Sequence, residues 1–270
     1  MTILPAEPAV AALWRYPVKS MQGEELNASE VTAAGLVGDR GFAVVDQATG
    51  KVAGAKNPRK WPGFFQFRAS YVTPPAAGDP LPAVRVMLPD GTCVTSDEAG
   101  IARLLSAALG RDVAFAAAAG RAAAAAAAEG YDVDSDEVLD FEMPAGTFFD
   151  CAPVHIVTTA TLERLRALYP AGRFEPRRFR PNIIVATRPD AAGFAENAWV
   201  GRTVAVGGSV RLRVVKTTGR CVMTTLPQYD LPRDPGILRT AVRHNNAMVG
   251  VYAEVLAGGT IRRGDTVTVL

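Results

Sequence analysis

The chain has 270 residues, 49% hydrophobic and 21% charged, which suits a folded globular protein of one elaborated domain or two modest ones and excludes a disordered or collagen-like chain. Lys and Arg total 29 against 27 Asp and Glu, a net charge of +2, so no global attraction to polyanions exists and any anion recognition is local. The longest stretch free of Asp, Glu, Lys and Arg is 151–162, well short of the ~20 residues that a helix needs to cross a bilayer.

Short apolar or alternating runs bounded by Gly, Pro and Asp predict strands at 12–16, 41–46, 64–71 and 83–88. Asp90-Gly91 between two such runs predicts a hairpin, because a type I′ turn needs a positive φ that Asp and Gly tolerate. Ile101, Leu104, Leu105 and Ala108 repeat at helical spacing, with Ser96 or Asp97 as N-cap and Gly110 as the stop. Residues 114–128 are mostly alanine; the run 122–128 lacks large apolar side chains and reads as a linker or frayed helix, followed by the acidic stretch 132–140. A boundary there divides the chain into units of residues 1–120 and 121–270.

The second unit predicts a strand at 154–157, a helix carrying Leu162, Leu165, Leu168 and Tyr169, and a strand at 182–186. Val210, Leu212 and Val214 then alternate with Arg211 and Arg213, the period of a half-buried strand. A helix at 237–244, a strand at 249–256, a Gly258-Gly259 turn and a strand at 266–270 complete it. Many short strands with few helices predict an α+β, β-dominated chain: a β-barrel-like N-terminal unit, then a β-barrel domain with a few helices.

Three widely spaced cysteines, Cys93, Cys151 and Cys221, fit neither a disulfide framework nor a zinc CxxC pair, and only His155 and His244 are present, which excludes imidazole-rich metal sites. The first dozen residues lack a positively charged start followed by an apolar run, so no signal peptide is read and the cytoplasm is the expected location.

Four loops collect reactive or anion-binding residues. In YPVKSMQG (16–23), Pro17 ends a strand and presents Lys19 and Ser20, the ammonium and hydroxyl donors that phosphate recognition requires; a solvated turn accounts for the same residues. In GLVGDRG (35–41), glycines let the backbone bend closely around Asp39 and Arg40, and Arg40 either reaches an anion or pairs with Asp39. RFEPRRFRPN (173–182) gathers Arg173, Arg177, Arg178 and Arg180 around Glu175 and ends on Asn182. Guanidinium forks suit a phosphate or a fused heterocycle, and the amide offers a donor and an acceptor to a ring edge. Nucleic acid is disfavoured as the ligand, since the net charge is small and no aromatic ladder accompanies the arginines. In TTGRCVMTT (217–225), Cys221 follows Gly219 and Arg220, where an adjacent cation and open amides favour the thiolate, a nucleophile and soft-metal ligand; a core cysteine is the alternative. Cys93 and Cys151 lie in apolar, strand-like contexts and are expected to be buried and inert, and His155 to be a satisfied core imidazole.

Taken in order, YPVKS, GLxGDR, FRPNI and GRCVMTT resemble the signature of the MOSC superfamily, named for the C-terminal domain of molybdenum cofactor sulfurases. The resemblance runs from Leu13 to Leu270: the first part is similar to the MOSC N-terminal β-barrel domain, and the part after the alanine-rich stretch to the MOSC domain itself. Within the superfamily the chain is similar to the mitochondrial amidoxime reducing component and its bacterial relatives, which bind molybdopterin and reduce N-hydroxylated compounds.

The resemblance implies a molybdenum cofactor, molybdopterin carrying Mo, with Lys19, Ser20 and Arg40 on its terminal phosphate and Arg180 and Asn182 on the pterin edge. It implies Cys221 as the metal ligand and catalytic centre, with Thr224 and Thr225 hydrogen-bonding the metal's oxygen ligands. The implied reaction is two-electron removal of oxygen from an N-hydroxylated small molecule. An external electron-transfer protein is the implied partner, because the chain lacks the four cysteines of a fused iron–sulfur domain; neither nucleic acid nor membrane is expected. A non-enzymatic alternative is a cofactor carrier, or a sulfur carrier with a persulfide on Cys221. Residues 226–235, LPQYDLPRDP, depart from the acidic, glycine-containing stretch of the reductases.

Overall fold

A computed structural model describes residues 7–118, 126–132, 137–144, 148–188, 191 and 193–270, and its architecture is the strand-dominated α+β class that the sequence predicts. The largest sheet runs, in spatial order, β18 (Val267–Val269), β14 (Thr203–Val206), β15 (Val210–Gly219), β16 (Met248–Ala257), β12 (Val154–Thr158), β13 (Ile183–Ala186), β1 (Ala9–Arg15) and β2 (Glu24–Leu26). Its ladders are antiparallel except β12 with β13, whose parallel pairing needs a crossover, and the helix α2 (Thr159–Leu168) lies in that connection. The sheet curls closed: an Ala9–Thr266 bridge joins its two sides, Val10 N donates to Asp265 O at 2.9 Å, and Val267 N donates to Pro8 O at 2.8 Å. Inside, Val210, Leu212 and Val214 are fully buried with Leu13, Ile156, Val204 and Val251, while Arg211 and Arg213 alternate outward, as the period-two pattern requires.

A second core lies among N-terminal elements. β5 (Phe42–Asp46) pairs with β9 (Val113–Ala117), and β6 (Arg68–Tyr71), β7 (Val84–Met87) and β8 (Cys93–Thr95) form an antiparallel sheet sharing that core with α1 (Ile101–Leu109). β3 (Ala28–Thr32) lies between β4 (Gly35–Leu36) and β17 (Gly259–Arg262), so an early and a late segment share one small sheet. β10 (Ala126–Asp132) and β11 (Glu137–Met143) form a ribbon, and the remaining helices are α3 (Pro176–Phe179) and α4 (Pro235–Asn245).

Several local expectations are corrected. Residues 64–66 form a 3₁₀ turn and the strand begins at Arg68; Phe64, Phe65 and Phe67 are all buried, so the apolar run carries no alternation to separate turn from strand. α1 begins at Ile101 with Gly100 as N-cap, because the Ser96 hydroxyl is occupied accepting from Val84 N at 3.0 Å across to β7. Of the run 122–128 expected as a linker or frayed helix, 126–128 open β10 and 122–125 lie outside the described residues, and the alanines before it supply β9. β5 is buried along its whole length, and its ladder partner β9 takes up strand geometry against alanine's helical preference. The acidic stretch contributes to the β10–β11 ribbon, with 133–136 outside the described residues, and Gly259 opens β17 instead of sitting in a turn.

Candidate functional site

A cavity of about 980 Å³ opens where the four polar loops meet, and Lys19, Ser20, Arg40, Arg180, Asn182, Cys221, Thr224 and Thr225 all line it. Six non-glycine residues among those described have positive φ, and four of them, Ser20, Arg40, Arg180 and Ala247, belong to this lining. Left-handed backbone at residues with a Cβ is costly and persists where surrounding contacts enforce it, most often at functional sites.

The contacts that enforce it form one network. After β1, Lys19 N donates to Phe42 O at 2.9 Å and Phe42 N to Pro17 O at 3.0 Å, which zips the Lys19 loop to the start of β5. Arg40 N donates to Tyr16 O at 2.8 Å, and Tyr16 N donates to Asp39 Oδ1 at 2.7 Å, so the first two loops are locked together. Gly38, at φ 81, permits this turn: a Cβ there would meet the Tyr71 ring at 2.7 Å. Asn182 carries the network onward. Its Nδ2 donates to Asp39 Oδ2 at 3.0 Å and Trp14 O at 3.3 Å, and its Oδ1 accepts from His155 N at 3.1 Å. Three hydrogen bonds hold that amide, so Asn182 fixes the Asp39 turn to β12 while its Oδ1 keeps one lone pair unused.

Between the loops, the Tyr16 ring is flanked by two guanidiniums, Arg40 at 4.6 Å and Arg180 at 4.2 Å from its centroid. Arg40 is ion-paired to Asp39. Burial works against the Arg40 charge and Asp39 more than compensates, raising its pKa. Arg180 caps α3 in the left-handed conformation and donates Nη1 to Met21 O at 2.5 Å; burial, with Arg40 nearby, brings it down to about 10, so it remains a cation at neutral pH. The other arginines of its segment divide by role. Arg173 and Arg177 pair with Asp230 at the surface, at 2.9 Å and 2.5 Å. Arg178 is buried and donates to the carbonyls of Arg173, Thr224, Leu226 and Pro232, at 2.8, 3.1, 3.3 and 2.9 Å, holding the turn after Cys221 in shape.

Cys221 is solvent-exposed at the N-cap of the 3₁₀ turn 222–225. Its neighbour Arg220 does not point to solvent: it donates Nε to Val249 O at 2.9 Å, Nη1 to Phe179 O at 3.1 Å, and Nη2 to His155 Nε2. His155 accepts at Nε2, so its proton resides on Nδ1, 3.3 Å from Arg180 O. Burial, then Arg220, pushes the His155 pKa well below its usual value, consistent with the expected satisfied imidazole. Gly250, at φ 83, makes room, because a Cβ there would lie 2.4 Å from His155 Nε2. Thr224 and Thr225 donate their hydroxyl hydrogens to Cys221 O at 3.1 Å and Val222 O at 2.7 Å, so each meets a ligand as an acceptor while the turn holds.

At the opposite end, Lys19 Nζ donates to Phe148 O at 3.0 Å and pairs with Asp150 at 2.5 Å, and Lys56 reaches the other Asp150 oxygen at 3.2 Å. Burial lowers the Lys19 pKa; burial also opposes ionisation of Asp150, but Lys19 and Lys56 outweigh it and hold the carboxyl below the usual carboxylate range. Ser20 Oγ accepts from Ala55 N at 3.1 Å and retains its own hydrogen to donate. Cys93 and Cys151 are exposed, against the expectation of buried thiols: Cys93 sits by the hairpin turn, 3.8 Å from Gly91 O, and Cys151 lines the cavity beside Lys216. Apolar neighbours in sequence misled there, since Cys93 begins the edge strand β8 and Cys151 lies in the loop that leads into β12.

Sequence reasoning missed Lys56, Asp150 and the role of Tyr16. The basic, proline-containing run around Lys56 and the Asp150-Cys151 pair are signals of the kind used for the other loops. Among the described residues no group of three or more His, Cys, Asp and Glu is arranged to hold a metal ion. The donor set of one thiol, a guanidinium–tyrosine pair and paired ammoniums fits a soft metal carried on an anionic heterocycle. The volume lies at the upper end of the range for small-molecule and cofactor pockets.

The chain is 24% identical to mitochondrial amidoxime reducing component 2 of Bos taurus over 96% of its own length and 82% of the relative, and 24% identical to that of Rattus norvegicus over the same shares. Among solved structures it is similar to the YUAD protein from Bacillus subtilis, with TM-score 0.47 and 14% identity over 98% of this chain and 97% of that one. YiiM from Geobacillus stearothermophilus gives TM-score 0.34 and 13% identity over 54% and 72%. Residues 7–82 match the MOSC N-terminal beta barrel domain and residues 144–268 match the MOSC domain, and the chain belongs to the MOSC superfamily.

Proposed function

We propose that this protein is a molybdenum-cofactor oxidoreductase that reduces N-hydroxylated compounds with electrons from a separate protein. What supports the reading is the convergence of four sequence-distant polar loops on one cavity with an exposed cysteine in its wall. When bound, the cofactor would supply the two-electron chemistry of oxygen removal. Cys221 would ligate its metal, Lys19 and Ser20 would hold its phosphate, and Arg180, stacked on Tyr16, would lie against the pterin. Arg40, held in place by its pair with Asp39, would offer its remaining guanidinium hydrogens to the phosphate. Arg178 and the Asn182–Asp39–His155–Arg220 network would keep these groups oriented before the cofactor arrives, which lowers the ordering cost of binding. The division of the chain near residue 120 and a cytoplasmic location belong to the same reading; no helix among the described residues is long and apolar enough to cross a membrane.

Donor-dependent reduction of benzamidoxime by cofactor-loaded protein tests the proposal, with Cys221→Ser as control. Turnover that vanishes in the variant supports it. A persulfide on Cys221 without bound metal or turnover would instead mark a sulfur carrier, and cofactor bound and released without turnover would mark a cofactor carrier.

A further inference from the structure

We propose that Asp150 is the resident counter-ion of a phosphate seat built by Lys19 and Lys56, and that the phosphate of an incoming ligand takes its place. The inference rests on the cofactor reading above and adds two residues and an exchange step to it.

The Lys19 side chain is 8% exposed, and an isolated ammonium buried to that degree is expensive, so the ligand-free protein needs an anion there. Asp150 supplies it at 2.5 Å and bridges to Lys56 at 3.2 Å. One carboxylate between two ammoniums leaves a positive charge unmatched, whereas a phosphate dianion matches both and offers more acceptor oxygens. The two partners differ in their freedom to move. Lys19 is anchored by Phe148 O at 3.0 Å, while the Asp150 side chain is 32% exposed and can turn toward water without opening the core. Lys56 is 27% exposed with its Nζ 4.2 Å from the Phe141 centroid, and Lys19 Nζ lies 6.0 Å from the same ring, so one aromatic ring adjoins both cations. Ser20, Lys19, Lys56 and Asp150 line one continuous cavity.

Inorganic phosphate is the probe, titrated calorimetrically into the full-length, cofactor-free protein at constant ionic strength. D150N is expected to bind phosphate about tenfold more tightly than the wild type, because a like charge is removed from the seat. It should also have a lower thermal midpoint that phosphate restores. K56M is expected to bind phosphate more weakly, and serves as the deciding variant if D150N does not fold. Phosphate that binds the wild type in a Lys19-dependent manner but with affinity unchanged in D150N, or in K56M where D150N does not fold, overturns the exchange and leaves the cofactor reading standing. Phosphate binding to none of the proteins, or binding that K19M does not weaken, overturns the seat itself.

Discussion

At the Lys19 end of the cavity a buried ammonium is balanced by a carboxylate that reaches water, whereas at the Cys221 end a half-buried guanidinium is tied to backbone carbonyls and a neutral imidazole. Ionic pairing with a partly exposed partner is exchangeable. Bonds from Arg220 and Arg178 to carbonyls are not, because breaking them strands buried acceptors. The contrast separates groups suited to meet a ligand from groups that shape the wall, although both kinds are basic residues in the same loops. It also bears on the arginine-rich segment 173–182, where similar side chains end at the surface, in the scaffold and in the cavity.

The sharpest way to break the comparison is at the thiol. Cys221→Ser is expected to reduce N-hydroxylated-compound turnover to background while stability changes by no more than ~0.5 kcal/mol, as for exposed positions; a large loss of stability would make Cys221 structural. Arg178→Leu should do the reverse in kind, removing about 3–5 kcal/mol in denaturant titrations by stranding the carbonyls that it binds. Arg180→Lys keeps the charge but loses the planar stack on Tyr16, and is expected to weaken cofactor retention about tenfold with the fold intact, measured by cofactor release.

The smallest effect separates the ends by pH. His155 has a folded pKa well below its reference value of 6.5, so below pH 6.5 the unfolded chain takes up a proton that the folded chain refuses. Its contribution is present above 6.5 and is lost as pH falls from there toward the folded value, with a slope of up to ~1.4 kcal/mol per pH unit. Asp150 also has a depressed folded pKa, but its contribution persists down to its reference value of 3.8 and is lost only as pH falls below it. Stability measured between pH 7.5 and 5 should therefore decline in the wild type and less steeply in His155→Gln, with Asp150→Asn leaving that slope unchanged.

Much of the β-dominated fold was legible because burial imposes period two on strands such as β15, and Gly91 and Gly110 mark the turn and helix stop where positive φ is needed. The alanine-rich stretch was not, because alanine lacks a side-chain pattern and its strand form is decided by pairing with β5, residues distant in sequence. The lining of the site was legible as four motifs, since each concentrates polar residues in a segment that leaves or enters a strand. Asp150 and Lys56 carried local signals of the same kind, but the pairing that gives them significance joins loops almost a hundred residues apart. Asn182 shows a further effect of the fold, a residue whose type suits a ligand edge and whose amide hydrogens are both spent inside the protein.

Elemental analysis of the purified protein loaded with molybdenum cofactor is the most direct test that one cavity gathers these loops around a single cofactor. Stoichiometric molybdenum in the wild type, reduced in both Cys221→Ser and Lys19→Met at opposite ends of the cavity, is the expected result. Molybdenum content that is indifferent to either substitution, or absent from a folded wild type offered the cofactor, would contradict it.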